Sequence, residues 1–208
     1  MPGAPSDLSS PARIRNAALE LFAFRGVAAT TIRDIAAAAG VSPGMVQHHF
    51  KTKAGLRSAV DEYAIAVFAQ AFDGVGESDD ALDIFQDLAA RLTALVSDSP
   101  LPLRYIARSV IDGDDAGLAT FDRLVGVGDG LVAQLADQGY LRPDTDLRWV
   151  ALHNVMLNLA TVLLEPGISR HLTRDLRSPE EIRRWSEATT ALFAHGILAD
   201  SERTPPPR

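Results

Sequence analysis

The chain has no cysteine among its 208 residues. Disulfide bonds, zinc–thiolate sites and thiol nucleophiles are therefore excluded, and the absence is typical of a reducing compartment. Long apolar runs are also missing, because no stretch reaches the roughly 18 uninterrupted apolar residues of a membrane span. The opening MPGAPSDLSSP has neither a basic end nor an apolar run, so no secretory signal is indicated. These absences predict a cytoplasmic protein that does not contact a membrane.

Motifs for catalysis and for metal or cofactor binding are missing as well. No glycine-rich phosphate loop and no nucleophile elbow occurs, so neither an enzyme nor a cofactor is predicted. His48 and His49 are adjacent and would point about 100° apart on a helix, whereas a chelating pair needs a separation of three or four. His171 and Asp175 have that separation but lack a third ligand, so no metal site is predicted.

Strand-like alternation is scarce, whereas apolar residues recur at three and four positions almost throughout. The chain is therefore predicted to be all-α, with an N-terminal three-helix head, a larger helical body and about nine helices. A short helix of about seven residues should start at Pro43. The other helices are expected near residues 11–25, 31–39, 52–72, 79–97, 101–112, 115–138, 145–165 and 179–198.

Residues that typically begin or end helices indicate where the helices of the head start and stop. Ser10 is predicted to cap the first helix, with Pro11 in its first turn, and Gly26 to end it. Thr31 and Asp34 have the spacing of a capping box, in which each side chain bonds the backbone N–H of the other residue. Gly40 is expected to end the second helix, Ser42 to begin the third and Thr52 to cap the fourth.

Two short helices joined at a glycine, within a cluster of three, are typical of a helix-turn-helix. The cluster would be held together by Ile32, Ile35, Val46 and Phe50, and the first helix would bury Ile14, Ala18, Leu21 and Phe22. We expect a DNA-binding domain at residues 10–55 and a second, larger helical domain at 56–200. The Pro/Ser-rich ends, 1–9 and 201–208, are expected to be disordered.

Charge is unevenly distributed along the chain. The net charge is −7, yet residues 1–55 hold six Lys/Arg against three Asp/Glu, a balance of +3. The remainder holds 14 basic and 24 acidic residues, a balance of −10. A basic head joined to an acidic body is typical of a head that contacts phosphates, although chance clustering of surface charge is the simpler alternative.

The run TTIRDIAAAAGVSPGMVQHHFKTKAGL resembles the DNA-binding head of the TetR family. The matching positions are Thr31, Ile35, Ala36, Ala39, Gly40, Val41, Ser42, Gly44, His49, Phe50, Lys53 and Leu56. The motif covers residues 11–60. The resemblance implies a dimeric, all-helical, repressor-like regulator that pairs through its last two long helices and has a ligand cavity in its body. Gln47 departs from the family, which commonly has tyrosine there.

Exposed residues of the head are the DNA-contact candidates. Gln47 can make a bidentate contact to adenine and Arg33 to guanine, while Met45 can contact a thymine methyl group. Pro43 and His48 face outward on the same helix. A second group is predicted to hold phosphates through hydroxyls, close backbone approach and charge: Thr31, Ser42, Gly44, His49 and Lys53.

Polar and aromatic residues of the body are candidates for binding an unknown small-molecule inducer. They are Phe68, Tyr105, Arg108, Phe121, His153, Met156 and Asn158. The alternative is structural: Arg108 would pair with Asp112 at the surface, and the polar side chains of helix 145–165 would be satisfied in the core or at a dimer face.

The last two long helices predict a homodimer, since helix 145–165 is apolar on two sides and helix 179–198 has one continuous apolar face. The interface is predicted to include Leu147, Val150, Ala151, Leu157, Ile182, Trp185, Ala188, Thr189, Leu192 and Phe193. The opposite side of helix 145–165 carries Leu152, Met156, Leu159 and Leu163, and the pattern leaves open which side pairs. The alternative is that both helices are simply central core helices.

Together these features predict a ligand-responsive transcriptional regulator, a repressor, that binds a near-palindromic double-stranded operator and is released by its inducer. The main rival is a helical small-molecule-binding or scaffold protein with a vestigial helix-turn-helix. A helical enzyme and a protein-interaction bundle are further rivals. Salt-dependent DNA binding distinguishes the regulator from the scaffold protein, turnover of a substrate by the body would identify an enzyme, and an interaction bundle would leave the Thr/Ser/Lys arrangement of the head without a use.

Overall fold

The computed structural model describes residues 9–75 and 81–197, and over these it is all-α, as predicted. These described residues form ten helices: α1 (Ser10–Arg25), α2 (Ile32–Ala39), α3 (Pro43–Phe50), α4 (Lys53–Gln70), α5 (Ala81–Asp98), α6 (Pro100–Asp112), α7 (Asp115–Asp137), α8 (Leu147–Leu163), α9 (Glu165–Ser169) and α10 (Pro179–Ile197). The tails expected to be disordered lie outside the described residues, except for Ser9.

Two details of the helices differ from the sequence prediction. α9 occupies the segment EPGIS, which was expected to be a break; Pro166 lies in its first turn, where a missing N–H leaves no hydrogen bond unmade. Ser10 was predicted to cap α1 but is its first residue, and Ser9 precedes it without a side-chain capping bond. Pro11 in the first turn and Gly26 at the end of α1 are confirmed.

The chain divides into two compact units. Unit 1 comprises Met1–Val67 and Leu101–Phe121, and unit 2 comprises Phe68–Pro100 and Asp122–Arg208. This division differs from the boundary at residues 55/56 that the sequence suggested, because most of α4 and nearly all of α6 belong with α1, α2 and α3. Both α4 and α7 continue along the chain from one unit into the other.

Unit 1 has an apolar core to which α1, α2 and α3 all contribute. Ile14, Phe22, Ile35 and Val46 are each at most 1% exposed, so burial of these side chains holds the head together. Leu21, expected in the inner stripe of α1, is only partly buried, and Leu19 is buried instead. Two other residues expected to hold the cluster are also partly buried: Ile32 and Phe50.

A polar network in unit 1 ties α4 to α6 and to the start of α7. Arg57 donates two hydrogen bonds to Asp114, at 2.5 and 2.8 Å between nitrogen and oxygen. On the next turn of α4, Asp61 accepts a 2.5 Å bond from the Tyr105 hydroxyl and a 3.4 Å bond from Thr120. Arg57 Nε lies 3.9 Å from Asp61, so one guanidinium faces both carboxylates.

The network changes the pKa values of two of its members, Asp114 and Tyr105. The hydrogen bonds from Arg57 lower the pKa of Asp114, partial burial opposes that change, and the Gly117 backbone N–H adds to the lowering. Burial, followed by the hydrogen bond to Asp61, raises the pKa of the Tyr105 hydroxyl. The fold therefore favours a charged Asp114 and a protonated Tyr105.

Unit 2 is a helical bundle in which α5 packs against α8 and α10. Thr93 on α5 donates a 2.7 Å hydrogen bond to Ser186 on α10, and Arg148 on α8 pairs with Asp129 on α7. Glu181 is 3% exposed and accepts hydrogen bonds from Arg184 at 2.7 and 2.9 Å. Within the described ranges, no helix is long and apolar enough to cross a membrane.

Asp114→Asn is expected to lower the free energy of unfolding by about 1 kcal/mol at pH 7, a value that reflects the partial exposure of this bidentate pair. Folding lowers the pKa of Asp114, so its contribution is present above the unfolded carboxyl's value of about 3.9 and is lost as the pH falls through the folded value. Urea unfolding from pH 7 down to pH 3 should show the difference from wild type shrinking below about pH 4.

Asp122→Asn is the matched control, because it removes one carboxylate from an exposed position of α7. It should leave the free energy of unfolding nearly unchanged at pH 7. Equal effects of the two substitutions, or a loss in Asp114→Asn that does not depend on pH, would contradict the role given to the Arg57–Asp114 pair.

Candidate functional site

The N-terminus of α2 is fixed by the predicted capping box. The Asp34 backbone N–H donates to the Thr31 hydroxyl at 3.2 Å, and the Thr31 backbone N–H donates to the Asp34 carboxylate at 2.9 Å. The Thr31 hydroxyl also donates to that carboxylate at 2.7 Å. These bonds from Thr31 lower the pKa of Asp34. A phosphate that uses the Thr31 hydroxyl must therefore compete with a bond already made.

The turn between α2 and α3 depends on a left-handed glycine. Gly40 has φ 66° and ψ 38°, and its N–H donates to carbonyls of the last turn of α2. Val41 donates to the Ala36 carbonyl at 3.0 Å, which completes the end of α2. Ser42 then caps α3, accepting a 3.2 Å hydrogen bond from the Met45 N–H. Its own O–H remains available as a donor to a phosphate.

Burial separates the two sides of α3. Val46 is 1% exposed and packs into unit 1, whereas Met45 is 40% exposed. Nine of the ten DNA-contact candidates are exposed, and only Lys53, on the first turn of α4, is partly buried. The exposed candidates are Thr31, Arg33, Ser42, Pro43, Gly44, Met45, Gln47, His48 and His49. The structure thus presents them to solvent on the helix-turn-helix and the turns that bound it.

The junction between α3 and α4 is a γ-turn that the sequence did not reveal. Lys51 has φ 63° and ψ −57°, and the Thr52 N–H donates to the Phe50 carbonyl at 2.7 Å. A γ-turn with positive φ at its central residue is rare and strained. The Lys51 ammonium donates to the His48 carbonyl at 3.0 Å, and Thr52 caps α4 by accepting a 3.0 Å bond from Gly55.

Gly55 permits this junction because no side chain fits at its position. A Cβ added there would lie 2.4 Å from the Phe50 carbonyl oxygen, which belongs to the backbone and cannot rotate away. The first turn of α4 therefore passes directly against the last turn of α3. The sequence signal was present, as a glycine in the first turn of a helix, but only the structure shows what approaches it.

Electrostatics favour an anionic partner at this part of unit 1. Residues 35–60 contain no Asp or Glu, while they include Lys51, Lys53 and Arg57. Lys51 and Lys53 lie where α3 ends and α4 begins, beside His48 and His49. Basic side chains in a stretch of sequence without carboxylates favour contact with phosphates.

The structure does not bring the seven inducer candidates together. Tyr105 is buried in unit 1 on Asp61, and Arg108 pairs with Asp112 at 2.8 Å, the structural alternative considered above. Phe68 is buried with its ring 5.0 Å from that of Phe72. The other four are scattered: Phe121 is partly buried in unit 1, His153 and Met156 are exposed on α8, and Asn158 is 2% exposed and bonded to Asn154.

A cavity does exist, within unit 2, and its walls are different residues. α5, α7, α8 and α10 line it, with Phe72 and Leu141 from the adjoining segments. Its empty space is about 630 Å³, counted with its open mouth. Gly128 of α7 lies close to α8, since a Cβ there would stand 3.7 Å from the Ala151 Cβ. None of the seven inducer candidates lines this cavity.

The interface candidates on α8 and α10 fall into three groups by burial. Ala151 is 1% exposed and Ile182 is 8% exposed, so their side chains belong to the interior of unit 2 and cannot contact a second chain. Leu147 and Leu192 are 37% and 66% exposed, and Ala188 is also exposed. The remaining candidates are partly buried: Val150, Leu157, Trp185, Thr189 and Phe193.

A stripe of α8 and the residue after it, which the sequence did not single out, carries the larger exposed apolar side chains; of the alternative side it includes only Met156, while Leu159 is 7% exposed and Leu152 and Leu163 are partly buried. Trp149, Met156 and Leu164 are 52%, 49% and 56% exposed, and His153 lies between them with its ring 5.2 Å from that of Trp149. Positions 149, 153, 156, 160 and 164 follow one stripe along a helix.

Gly55→Ala is expected to lower the free energy of unfolding by about 1–3 kcal/mol, because the added methyl group overpacks the junction against a backbone oxygen. Gly44→Ala is the matched control: it replaces a helical glycine of the same head, where an added Cβ meets nothing nearer than 3.9 Å, and it should cost nothing. Urea unfolding compares the two. Similar stabilities for both variants would contradict the close approach at Gly55.

Comparison with known proteins agrees with this architecture. Residues 14–60 match the family model described as bacterial regulatory proteins, tetR family. The HTH-type transcriptional repressor Rv3405c of Mycobacterium tuberculosis H37Rv is 31% identical over 184 residues, 83% of this chain and 82% of the relative. The HTH-type transcriptional regulatory protein RaaS of the same organism is 30% identical over 143 residues, 69% of this chain. The match spans 65% of the length of RaaS, just under two thirds.

Solved structures share the fold. The ketosteroid transcriptional regulator KstR2 of Mycobacterium tuberculosis superposes with a TM-score of 0.66 at 22% identity, over 92% of this chain and 96% of that one. Its likeness covers the body as well as the head. With the helix-turn-helix geometry and the similarity to Rv3405c over most of both chains, this chain belongs to the TetR family of helix-turn-helix transcriptional regulators.

Proposed function

We propose that this regulator is a repressor that binds a near-palindromic operator as a homodimer and leaves it when a small molecule binds its body. The observation that carries DNA binding is the exposed side of α3, a helix anchored by Val46 in a stretch without carboxylates. Such a helix is the element that enters a major groove in helix-turn-helix proteins.

Base reading is assigned to the exposed amide and guanidinium of the head. Gln47 projects from the middle of α3 and Arg33 from the first turn of α2, and both are exposed. An amide pairs with the N6/N7 edge of adenine and a guanidinium with the O6/N7 edge of guanine. Met45, Pro43 and His48 border them and contact bases through apolar or ring surfaces.

Phosphate binding is assigned to groups at the ends of α3. Ser42 offers a hydroxyl proton, and Gly44 offers a backbone that no side chain covers. His49 and Lys53 supply donors at the other end of the helix. Thr31 takes part only by exchanging its bond to Asp34 for one to phosphate. These contacts position the head without reading sequence.

Dimerisation is assigned to the exposed apolar stripe of α8 together with the exposed part of α10. Trp149, Met156, Leu164 and Leu192 are 49% to 66% exposed, a concentration of large apolar side chains that a second copy would cover. An isologous pair places two heads about a two-fold axis, which is what inverted half-sites require.

The effector is proposed to act through α7. This one helix supplies Gly128, Leu131, Val132 and Leu135 to the cavity of unit 2 and begins directly after Asp114, the partner of Arg57 on α4. A ligand that prefers one placement of α7 changes the population of head positions that fit the operator. The KstR2 structure is described as a ketosteroid transcriptional regulator, which supports an apolar effector here.

DNA binding is tested by gel shift with the region upstream of the gene that encodes this chain. Gln47→Ala and Arg33→Ala are each expected to reduce discrimination between specific and mutated sites by about 1–3 kcal/mol. Lys53→Ala should weaken binding to all sequences alike and reduce the slope of log K against log salt by about one unit.

Gln70→Ala and Arg123→Ala are the matched controls, because they remove the same side-chain types from exposed positions outside the head. They should leave both affinity and discrimination unchanged. If Gln47→Ala and Arg33→Ala also leave the sequence preference intact, the assignment of base reading to these two side chains is wrong.

The dimer surface is tested with Met156→Arg. Placing a charge in the apolar stripe should raise the dimer dissociation constant at least tenfold, since an unpaired charge is costly to bury. Leu118→Arg is the control, because Leu118 and Met156 are both 49% exposed but Leu118 lies outside the stripe. Sedimentation velocity should show monomers for Met156→Arg and dimers for Leu118→Arg; dimers in both cases would contradict the proposed surface.

A further inference from the structure

The cavity of unit 2 is defined by an absence of charge. Its walls are mostly leucine, valine, alanine and phenylalanine side chains, including Leu92, Leu131, Leu135 and Phe193. Among the described residues that line it, none is Asp, Glu, Lys, Arg or His. The walls therefore offer no charged partner to a ligand, which restricts what can be bound there.

Three neutral polar side chains interrupt the apolar wall. They are Asn154 on α8 and Thr189 and Thr190 on α10. The Asn154 backbone carbonyl accepts a 2.8 Å hydrogen bond from the Asn158 amide, which also lies 3.4 Å from Asn154 Oδ1. With its oxygen facing Asn158, Asn154 is left with its NH₂ group as a donor for a ligand. Each threonine hydroxyl can donate or accept.

We infer that this cavity takes an uncharged, largely hydrocarbon molecule that carries one or two oxygen acceptors, such as an ester or ketone. The inference rests on the proposed effector role of the cavity and specifies the chemistry of its ligand. Apolar walls favour hydrocarbon, and the Asn154 amide with the two threonine hydroxyls fixes the position of an oxygen.

Charge is the property that this cavity discriminates against most strongly. A carboxylate entering it would lose its hydration and find no cation on the walls. An ester of the same chain length loses far less hydration and keeps an acceptor for Asn154. Two ligands with the same hydrocarbon chain should therefore differ in affinity for the cavity when only one of them is charged.

Size sets an upper limit on the ligand. The empty space of about 630 Å³ includes the open mouth, so it overstates the enclosed part. The figure is therefore an upper bound on the volume of a bound ligand. A ten-carbon chain is used as the probe because its methyl ester and its free acid share one hydrocarbon chain and differ in charge.

The test uses the full-length dimer without DNA and N-phenyl-1-naphthylamine, an uncharged fluorophore, as the reporter. Methyl decanoate and decanoate are titrated as competitors at pH 8, where the free acid is ionised. Methyl decanoate should displace the fluorophore at a concentration at least tenfold lower than decanoate does. Equal potency, stronger competition by decanoate, or failure of the folded protein to bind the fluorophore would overturn the inference.

Asn154→Lys adds a cation to the wall of this cavity. It therefore tests whether the competitors bind in this cavity. This variant should bind decanoate at least tenfold more tightly than wild type does, because the ammonium pairs with the carboxylate. Ala133→Lys adds the same charge at an exposed position of α7 that does not line the cavity, and its preference should remain that of wild type. If both variants respond alike, the competitors bind elsewhere.

Because these measurements contain no DNA, their outcome is independent of the gel shifts. A protein that binds its operator but shows no preference for the ester keeps the proposed DNA-binding role and loses the neutral-ligand assignment. A protein that prefers the ester but binds no DNA keeps the ligand chemistry and loses the repressor role.

Discussion

A helix of eight residues is not stable in water by itself, so the position of α3 depends entirely on how unit 1 holds it. Val46 anchors its inner side, the left-handed Gly40 and the Ser42 cap fix its start, and the strained γ-turn at Lys51 fixes its end. Gly55 lets α4 pass against the last carbonyl of α3. The outer side of α3 is thereby free to carry function without contributing to stability.

The same arrangement makes α4 the element through which the head is held by the rest of unit 1. Its first turn packs against the end of α3, and its next two turns carry Arg57 and Asp61, which bond to Asp114 and Tyr105. Charged and buried polar groups with good partners define one geometry, because a shifted helix would leave them unsatisfied. Asp114 and Tyr105 are therefore bonded to the same helix that packs against the end of α3.

The sequence revealed most helix ends of the head, because these depend on neighbours along the chain, but it misplaced the cap of α1 and missed the short helix α9 and the γ-turn at Lys51. Thr31 with Asp34, Gly40, Ser42 and Thr52 mark helix ends by local hydrogen bonds, and all four marks agree with the structure. Features that depend on distant residues were missed. Tyr105 looked like a ligand contact but is bonded to Asp61, 44 positions away, and the cavity walls come from four helices whose packing no local pattern specifies.

In the proposed complex, two copies of this chain present two α3 helices to inverted half-sites of DNA. Selection of bound fragments from random duplexes by the full-length protein, followed by sequencing, tests it most directly. The enriched sites should consist of two inverted half-sites whose centres lie about one helical turn, or a multiple of it, apart, and binding should weaken as salt rises. Enrichment of unsymmetrical sequences, or no enrichment at low salt, would contradict it.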